Sequence, residues 1–532
     1  MKKLLLISLM LITFSFANAQ DIPGGFDQTF GEWGFTTQEL NNLSVFMTGK
    51  GSVSLQSDGK IVTYTQFGED YGKSDILIMR HNPDGTLDTS YGDNGCLRMS
   101  PLNKSFFSFD SKIVEDDNLL ILAYTYSGSE GGNMFLMKLD SNGNPVTSFG
   151  TNGYVTFNKQ AGWTLVVRSM AVQPDGKIVV GGEYGEGDYS SCILRFMPDG
   201  QLDTSFGDNG MFINESHDHL GYLSMSVGES VCIAPDGRIY LCGWRVTPDE
   251  YWGSPYDSKI VCVDTNGNLV TTFGENGVLE FSVSEVIDVI QDAEVLPDGK
   301  LLVGGQSEIY VEDPGDGPNY ELFLAKFNED GSFDESFGND GVTKVQYQED
   351  SYHYCCEIAV AEDGQVFIGG YFWDELKDVL ITGFNPDGSL NLEFGDQGFT
   401  YFSFGGTKSS CITDLAMQPD GKLVAIGHYE HEETFADYLF CRFHTSLSLD
   451  DDVEENTMAE YVSTYPNPAV NEVSFVNLEN ECVANVYDAM GRLVMSETVS
   501  ANGKLNVSGL TSGNYFVELI DGGQIIKTRF MK

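Results

Sequence analysis

The feature that most constrains this chain is a nine-residue phrase that returns seven times along its length. FDQTFGEWG from Phe26, LDTSYGDNG from Leu87 and LDTSFGDNG from Leu202 are three of its copies. Every copy contains an aromatic residue followed by glycine, and these aromatic residues are Phe30, Tyr91, Phe149, Phe206, Phe273, Phe337 and Phe394. Successive copies are 57 to 67 residues apart. A repeat of this length predicts an array of similar units rather than one large core.

A second phrase lies between the copies of the first, as in QPDGKIVVGG from Gln173 and LPDGKLLVGG from Leu296. Its proline, aspartate and glycine are typical of a tight hairpin turn. In the third unit, the segments 154–157, 167–173, 177–182 and 192–197 have the length and composition of strands. Seven such units predict an all-β fold, a seven-bladed β-propeller, because radial closure protects the sheet edges. Six or eight blades remain alternatives if the terminal strands pair differently.

Both phrases resemble the delta-60 repeat family of bacterial secreted proteins, and the resemblance covers roughly residues 26–445. It implies a β-propeller but no reaction. We expect each repeated aromatic ring to fill the space between neighbouring blades. The glycine pairs after the hairpin turn, such as Gly181 and Gly182, are expected to lie where a neighbour's ring rests on bare backbone.

The N-terminal residues predict an export signal that is removed from the mature chain. Lys2 and Lys3 precede an apolar run that ends near Phe16, and Ala17-Asn18-Ala19 is a small-residue cleavage pattern. We therefore expect residues 1–19 to be a signal peptide and 20–445 to be the propeller. The apolar run is too short to span a membrane as a helix.

The chain has 79 acidic and 29 basic residues, a net charge of -50. This charge argues against nucleic acid or anionic lipid as partners.

The C-terminal region has a different composition from the repeats. An acidic linker is expected at 446–460, and residues 461–532 alternate apolar and polar positions between turn residues, which predicts a small β-sandwich. Tyr465-Pro466-Asn467-Pro468, Val486-Tyr487-Asp488, Gly513-Asn514-Tyr515 and the end of the chain resemble the type A C-terminal sorting domain of the type IX secretion system. That resemblance implies export to the surface or surroundings of a Gram-negative bacterium, with the secretion machinery as a partner.

Long variable loops are predicted at the propeller end opposite the hairpin turns. They carry Trp244, Tyr251, Trp252, Tyr310, His353 and Trp373, which we single out as candidate ligand-binding residues. Aromatic rings among carboxylates and amides suit a carbohydrate, whose apolar faces stack on rings while its hydroxyls form hydrogen bonds. The competing interpretation is that these rings pack within their own loops.

The sequence gives little indication of a metal site. His217, His219, His428 and His431 lack a recognised metal spacing, and Asp203, Ser205 and Asp208 lack the alternating carboxylates of a calcium loop. No cofactor is expected, with calcium kept as an alternative. The pairing of the ten cysteines cannot be read from the sequence.

These observations favour a secreted or cell-surface binding protein, with a carbohydrate as ligand and no catalytic residues. An extracellular polysaccharide hydrolase or lyase, using paired carboxylates, is the alternative.

Overall fold

The computed structural model describes most of the repeat region and most of the C-terminal region. The described residues are 23–31, 34–38, 51–70, 73–99, 106–126, 132–160, 162–186, 188–214, 226–246, 256–284, 286–309, 319–348, 351–373, 377–402, 409–431, 434–446, 463–465, 469, 471–476, 478, 480–488, 493–501, 503–511, 514–521 and 524–532. The expected signal peptide and nearly all of the expected linker lie outside them.

The described residues form β-strands joined by turns, with one short 3-10 turn at Glu115–Asp117. The strands of the repeat region are β1 (Phe35–Gln38), β2 (Ser52–Leu55), β3 (Ile61–Asp70), β4 (Lys73–His81), β5 (Cys96–Met99), β6 (Phe106–Val114), β7 (Asn118–Tyr126), β8 (Gly132–Leu139), β9 (Tyr154–Phe157), β10 (Thr164–Val172), β11 (Ile178–Glu186), β12 (Asp188–Phe196), β13 (Met211–Asn214), β14 (Ser226–Ile233), β15 (Ile239–Val246), β16 (Tyr256–Val263), β17 (Val278–Phe281), β18 (Asp288–Val295), β19 (Leu301–Ile309), β20 (Asn319–Phe327), β21 (Val342–Val345), β22 (Tyr352–Val360), β23 (Val366–Trp373), β24 (Lys377–Phe384), β25 (Phe399–Phe402), β26 (Ser410–Met417), β27 (Leu423–His431) and β28 (Thr434–Phe443). The expected all-β class is confirmed.

Within the described part of the larger compact unit, which comprises Phe26–Leu392 and Gly398–Phe443, these strands form seven antiparallel four-stranded sheets. Sheet I is β2 to β5, sheet II β6 to β9, sheet III β10 to β13, sheet IV β14 to β17, sheet V β18 to β21 and sheet VI β22 to β25. Sheet VII is β26 to β28 with β1. The first strand of each sheet contacts the first strand of the next, and β26 contacts β2, so these seven inner strands form a closed ring.

The boundaries of the sheets are offset by one strand from the repeats of the sequence. Tyr154–Phe157 begins a repeat, yet it pairs with β8 and is the outermost strand of sheet II. Correspondingly, sheet VII takes its outermost strand from the other end of the chain, with Phe35 paired to Cys441. This exchange joins the two ends of the repeat region by backbone hydrogen bonds and closes the ring.

The repeated aromatic residues are the wedges between sheets, as predicted. All seven are at most 3 % exposed. Phe206 lies among Val179 and Ile193 of sheet III and Val231 and Leu241 of sheet IV. The guanidinium of Arg195 lies 4.6 Å from the centre of the Phe206 ring, which adds a cation–π contact to the apolar packing. Phe206 therefore links two neighbouring sheets.

An ion pair explains why the two phrases recur in phase. In sheet III, Lys177 of the hairpin phrase lies 3.3 Å from Asp203 of the aromatic phrase, and Arg195 lies 2.8 Å from the same carboxylate. The same Lys–Asp pair joins Lys60 to Asp88, Lys300 to Asp334 and Lys422 to Asp27. In sheet VI, Gln365 replaces the lysine and Asn391 the aspartate, and their side chains hydrogen-bond at 3.0 Å. In sheets I, III, V, VI and VII the two phrases are thus linked into one structural unit.

The expectation for the glycine pairs was wrong in its detail. A Cβ at Gly181 would lie 2.7 Å from Leu241 of sheet IV, and one at Gly182 would lie 2.1 Å from the Val166 carbonyl oxygen. The neighbour at the first glycine is therefore an aliphatic side chain, and the second glycine faces its own sheet. The aromatic wedge lies instead on the glycine of the turn that precedes the aromatic phrase of the next sheet, as Phe206 does against Gly267.

The C-terminal region forms two further sheets. Its strands are β29 (Ser463–Tyr465), β30 (Glu472–Val476), β31 (Cys482–Asp488), β32 (Leu493–Val499), β33 (Lys504–Asn506), β34 (Asn514–Asp521) and β35 (Gln524–Met531). One sheet has the order β29-β30-β33 and the other β32-β31-β34-β35. Val473 and Phe475 of the first sheet share one buried cluster with Val486, Val517 and Phe530 of the second. The two sheets therefore bury their apolar faces against the same core.

Candidate functional site

The inner strands are shaped by a β-bulge that recurs at the same position in sheets II to VII. In sheet III the ladder shifts between Val167 and Ser169, and sheets II, IV, V, VI and VII show the same shift. A bulge re-aims the side chains that follow it. The residue after the bulge accepts a backbone hydrogen bond from the next inner strand in several sheets. Met170 N donates to Asp110 at 2.8 Å and Ile358 N donates to Asp292 at 3.1 Å.

The inner strands enclose a cavity of about 710 Å³. Its charged lining residues come from six inner strands and comprise Asp110, Lys112, Arg168, Glu229, Asp292, Glu294, Glu357 and Asp414. Lys112 is 48 % exposed, although strands surround it, because its side chain reaches into the cavity. Its ammonium group lies 3.3 Å from Asp110. The charge of Asp110, with smaller effects of Asp414 and Glu357, raises the pKa of Lys112.

Two carboxyl groups of this cavity have pKa values near neutrality. Glu294 is exposed to the cavity, where enclosure by the surrounding strands, followed by repulsion from Asp292, raises its pKa to about 7. Burial raises the pKa of Asp414 to about 6, although Lys112 acts in the opposite direction. Asp414 is also tied to sheet I, because Val53 N donates to it at 2.7 Å. The cavity therefore offers carboxyl groups that can hold or release a proton at physiological pH.

A second group of side chains lies at the end of the strands opposite the hairpin turns, which we call the loop end. Tyr320 of sheet V and Tyr352, Tyr354, Tyr371 and Trp373 of sheet VI form what we call the aromatic surface. The ring centres of Tyr320 and Tyr354 are 5.6 Å apart, those of Tyr354 and Tyr371 4.7 Å, and those of Tyr352 and Trp373 5.6 Å. Trp373 is 41 % exposed, whereas the four tyrosines are partly buried. The surface thus has one open ring supported by four others.

Strand register explains how these residues come together. Tyr352 pairs with Trp373 and Tyr354 pairs with Tyr371 across β22 and β23. Alternate residues of a strand lie on one face of its sheet, so both pairs share a face. Tyr320 reaches this face because β20 of sheet V contacts β22 of sheet VI. Burial is the main cause that raises the pKa of Tyr320 to about 12, so this hydroxyl stays protonated and can donate a hydrogen bond.

Three of the six predicted site residues are described, and they lie in three different environments. Trp373 belongs to the aromatic surface. Trp244 is partly buried at the loop end of sheet IV, where its ring meets Tyr256 at 5.0 Å and its indole nitrogen donates to Glu229 at 3.3 Å. Tyr251, Trp252 and Tyr310 lie outside the described residues.

His353 lies in the interior rather than on a loop. It is buried, its Nε2 accepts a hydrogen bond from Tyr347 N at 3.0 Å, and its Nδ1 lies 2.9 Å from the Tyr320 carbonyl oxygen. Burial lowers the pKa of this imidazole. Both ring nitrogens are occupied within the protein, so His353 holds the strand start from which Tyr352 and Tyr354 project.

Sequence reasoning did not single out Tyr320, Tyr352, Tyr354 or Tyr371. The alternation of Tyr352 and Tyr354 at the start of a strand was a usable signal, because it places both rings on one face. The contribution of Tyr320 depends on the packing of sheet V against sheet VI. The packing of these two sheets cannot be predicted from the sequence around Tyr320.

The candidate metal residues are engaged in other contacts or lie beyond the described parts. Asp203 accepts hydrogen bonds from the Ser205 backbone and hydroxyl and is paired with Arg195 and Lys177. His217 and His219 are not described. His428 is buried, with its Nε2 3.2 Å from the Cys411 sulfur. The described residues contain no group of three or more potential metal ligands.

The ten cysteines all fall within the described parts of the chain. Six of those in the repeat region are buried. No helix among the described residues is long and apolar enough to cross a membrane.

Comparison with known protein families agrees with this fold. Residues 56–91, 173–206, 234–273, 296–337 and 418–452 match the family described as a domain of unknown function (DUF5122) beta-propeller. The seven-sheet unit is therefore a β-propeller built from sequence repeats. Residues 463–532 match the secretion system C-terminal sorting domain. The repeat region therefore contains DUF5122, or delta-60, propeller repeats, and the C-terminal region is a type IX secretion sorting domain, which directs export to the cell surface or the medium.

Solved structures give only distant likenesses. A protein of unknown function from Dyadobacter fermentans DSM 18053 is 11% identical, with a TM-score of 0.40 over 78% of this chain and 98% of that chain. A PL25 ulvan lyase is 10% identical, with a TM-score of 0.42 over 78% and 97% of the two chains. The GH43 endo-arabinanase of Bacillus licheniformis is 10% identical, with a TM-score of 0.30 over 55% and 98%. No curated protein matches the chain. Likenesses at these scores do not assign an activity.

Proposed function

We propose that this chain is an extracellular, non-enzymatic binding protein whose ligand is a carbohydrate. In this proposal, residues 1–19 form a signal peptide and 20–445 a seven-bladed propeller. An acidic linker at 446–460 precedes a sorting β-sandwich at 461–532 that engages the type IX secretion machinery. Seven sheets with a closed ring of inner strands support the blade number, and two sheets over one core support the sandwich.

The aromatic surface carries the proposal of carbohydrate binding. Sugars present apolar C–H faces that stack on aromatic rings, and their hydroxyls need donors and acceptors close to those rings. Trp373 offers an exposed ring, and the tyrosine hydroxyls around it offer polar groups. Trp244 lies at the same end of the strands, and we propose that Tyr251, Trp252 and Tyr310 extend the binding surface together with it. His353 contributes by positioning the strand that bears Tyr352 and Tyr354.

A glycan array with the full chain tests this proposal. We expect one class of glycan to bind and the Trp373→Ala variant to lose that binding. The matched control is Met197→Ala, because Met197 is 36% exposed but lies at the turn end of sheet III. Absence of binding to any glycan, or binding that Trp373→Ala leaves intact, would contradict the proposal.

A polysaccharide hydrolase or lyase is the second candidate, and the cavity favours it. Glu294 and Asp414, with pKa values raised to about 7 and about 6, could serve as proton donor and acceptor. Turnover of a polysaccharide that Glu294→Gln abolishes, while Trp373→Ala only weakens substrate binding, would favour the enzyme. Binding without turnover at any pH from 5 to 8 would favour the binding protein.

A further inference from the structure

Most of the basic side chains described in the propeller are paired with acids; among those that are not, Lys259 is buried and Lys138 lies over the Phe149 ring. With 79 acidic and 29 basic residues in the chain, a basic side chain seldom lacks a carboxylate neighbour. Lys60, Lys177, Lys300 and Lys422 illustrate the rule, since each lies within ion-pair distance of an aspartate. A partly exposed cation without such a neighbour is therefore an exception that calls for an explanation.

Lys377 is such an exception, and it lies beside the aromatic surface. Its ammonium group is 4.8 Å from the centre of the Tyr371 ring and 5.7 Å from that of Trp373. No carboxylate among the described residues comes within ion-pair distance of it. Lys377 pairs with Trp373 across β23 and β24, so the hairpin itself holds the amine beside the exposed indole.

The kind of contact determines what this amine can do. A carboxylate neutralises an ammonium group, whereas an aromatic ring attracts it through the ring quadrupole and leaves its full charge and N–H donors in place. Lys377 is thus held at a fixed place beside Trp373 and can still bind an anion. A sugar stacked on Trp373 would bring its substituents to this amine.

We propose that the aromatic surface selects an acidic polysaccharide, one that carries carboxylate or sulfate groups, through Lys377. This inference rests on the proposed carbohydrate binding and adds the ligand class. The net charge of -50 repels such a polymer at long range, but physiological salt screens exposed charges beyond about 8 Å. Short-range contact with Lys377 therefore decides the preference.

Two matched pairs of polymers test the ligand class with the full chain. Polygalacturonate is compared with its fully methyl-esterified form, and dextran sulfate with dextran, by titration calorimetry at 150 mM NaCl. We expect the acidic member of at least one pair to bind about tenfold more tightly, which is the effect of one charge-assisted hydrogen bond. A preference in the first pair assigns carboxylate groups, and one in the second pair assigns sulfate groups.

Variants of Lys377 separate this inference from the proposed function. Lys377→Met should abolish the preference by weakening the acidic polymer more than the neutral one, and Lys377→Arg should retain it. Trp373→Ala should weaken both members of a pair. Equal binding of acidic and neutral polymers, or a preference that survives Lys377→Met, overturns the inference but leaves carbohydrate binding in place. Failure of all four polymers and of the glycan array overturns both.

Discussion

Replacing Phe206 by alanine tests whether the repeated aromatic residue holds neighbouring blades together. The ring is fully buried and packs against Val179 and Ile193 of sheet III and Val231 and Leu241 of sheet IV. Arg195 adds a cation–π contact at 4.6 Å. Truncation removes the buried ring and leaves a cavity between two sheets, and such Phe→Ala changes cost about 3 to 5 kcal/mol.

The effect on thermal unfolding follows from the size of the propeller. Unfolding entropy is about 2.1 cal/mol/K per residue, so for a unit of about 400 residues the expected fall in melting temperature is about 4 to 6 °C. Differential scanning fluorimetry and calorimetry of the full chain would measure it. Phe206→Leu, which keeps most of the apolar volume, should cost less than about 1.5 kcal/mol, and Met197→Ala, at an exposed position, should change little. A Phe206→Ala melting temperature within about 1 °C of the parent chain would refute the wedge argument.

Three further predictions concern charge and export. Lys112→Met leaves Asp110 and its neighbouring carboxylates without their cation, so the melting temperature at pH 7 should fall and recover as the pH is lowered toward 5, whereas Lys112→Arg should behave like the parent chain. Burial pushes the pKa of Asp203 up, but hydrogen bonds from Ser205 and the charge of Arg195 outweigh it and lower that pKa to about 2. The stabilisation is present above the unfolded value near 3.8 and lost as the pH falls toward 2, so Asp203→Asn should flatten the acid limb of a melting profile. Deletion of 461–532 should leave the chain in the periplasm, as cell fractionation would show, and normal appearance in the medium would contradict the sorting role.

The strands and the repeats were largely predictable, but the boundaries of the sheets were not. The segment 154–157 reads as a strand because of its composition, and it is one. Its assignment to the preceding sheet follows from pairing with β8, and no local pattern distinguishes one neighbouring partner from another. The same holds for β1, whose partner β28 lies at the far end of the repeat region.

From the sequence, we could predict which end of the strands carries the candidate site, but not which residues form it. Trp373 stood out as an aromatic residue in a variable region, whereas His353 has the same kind of context and lies buried between strands. Burial depends on which sheet packs against a residue, and that information is not local in sequence. Lys377 has an ordinary position in the sequence, and its importance becomes visible only from its distances to Tyr371 and Trp373.

The sequence by itself determined the elements that depend on local chemistry: the hairpin turns, the aromatic wedges, the repeat period and the sorting motifs. Turn geometry and strand alternation are properties of short segments, so they can be read from residue types. Tertiary structure alone decided the offset of sheets from repeats, the Lys–Asp link between the two phrases, the charged cavity and the aromatic surface with its lysine. Each of these brings together residues from separate strands or sheets, and only strand pairing and the packing of neighbouring sheets set their distances.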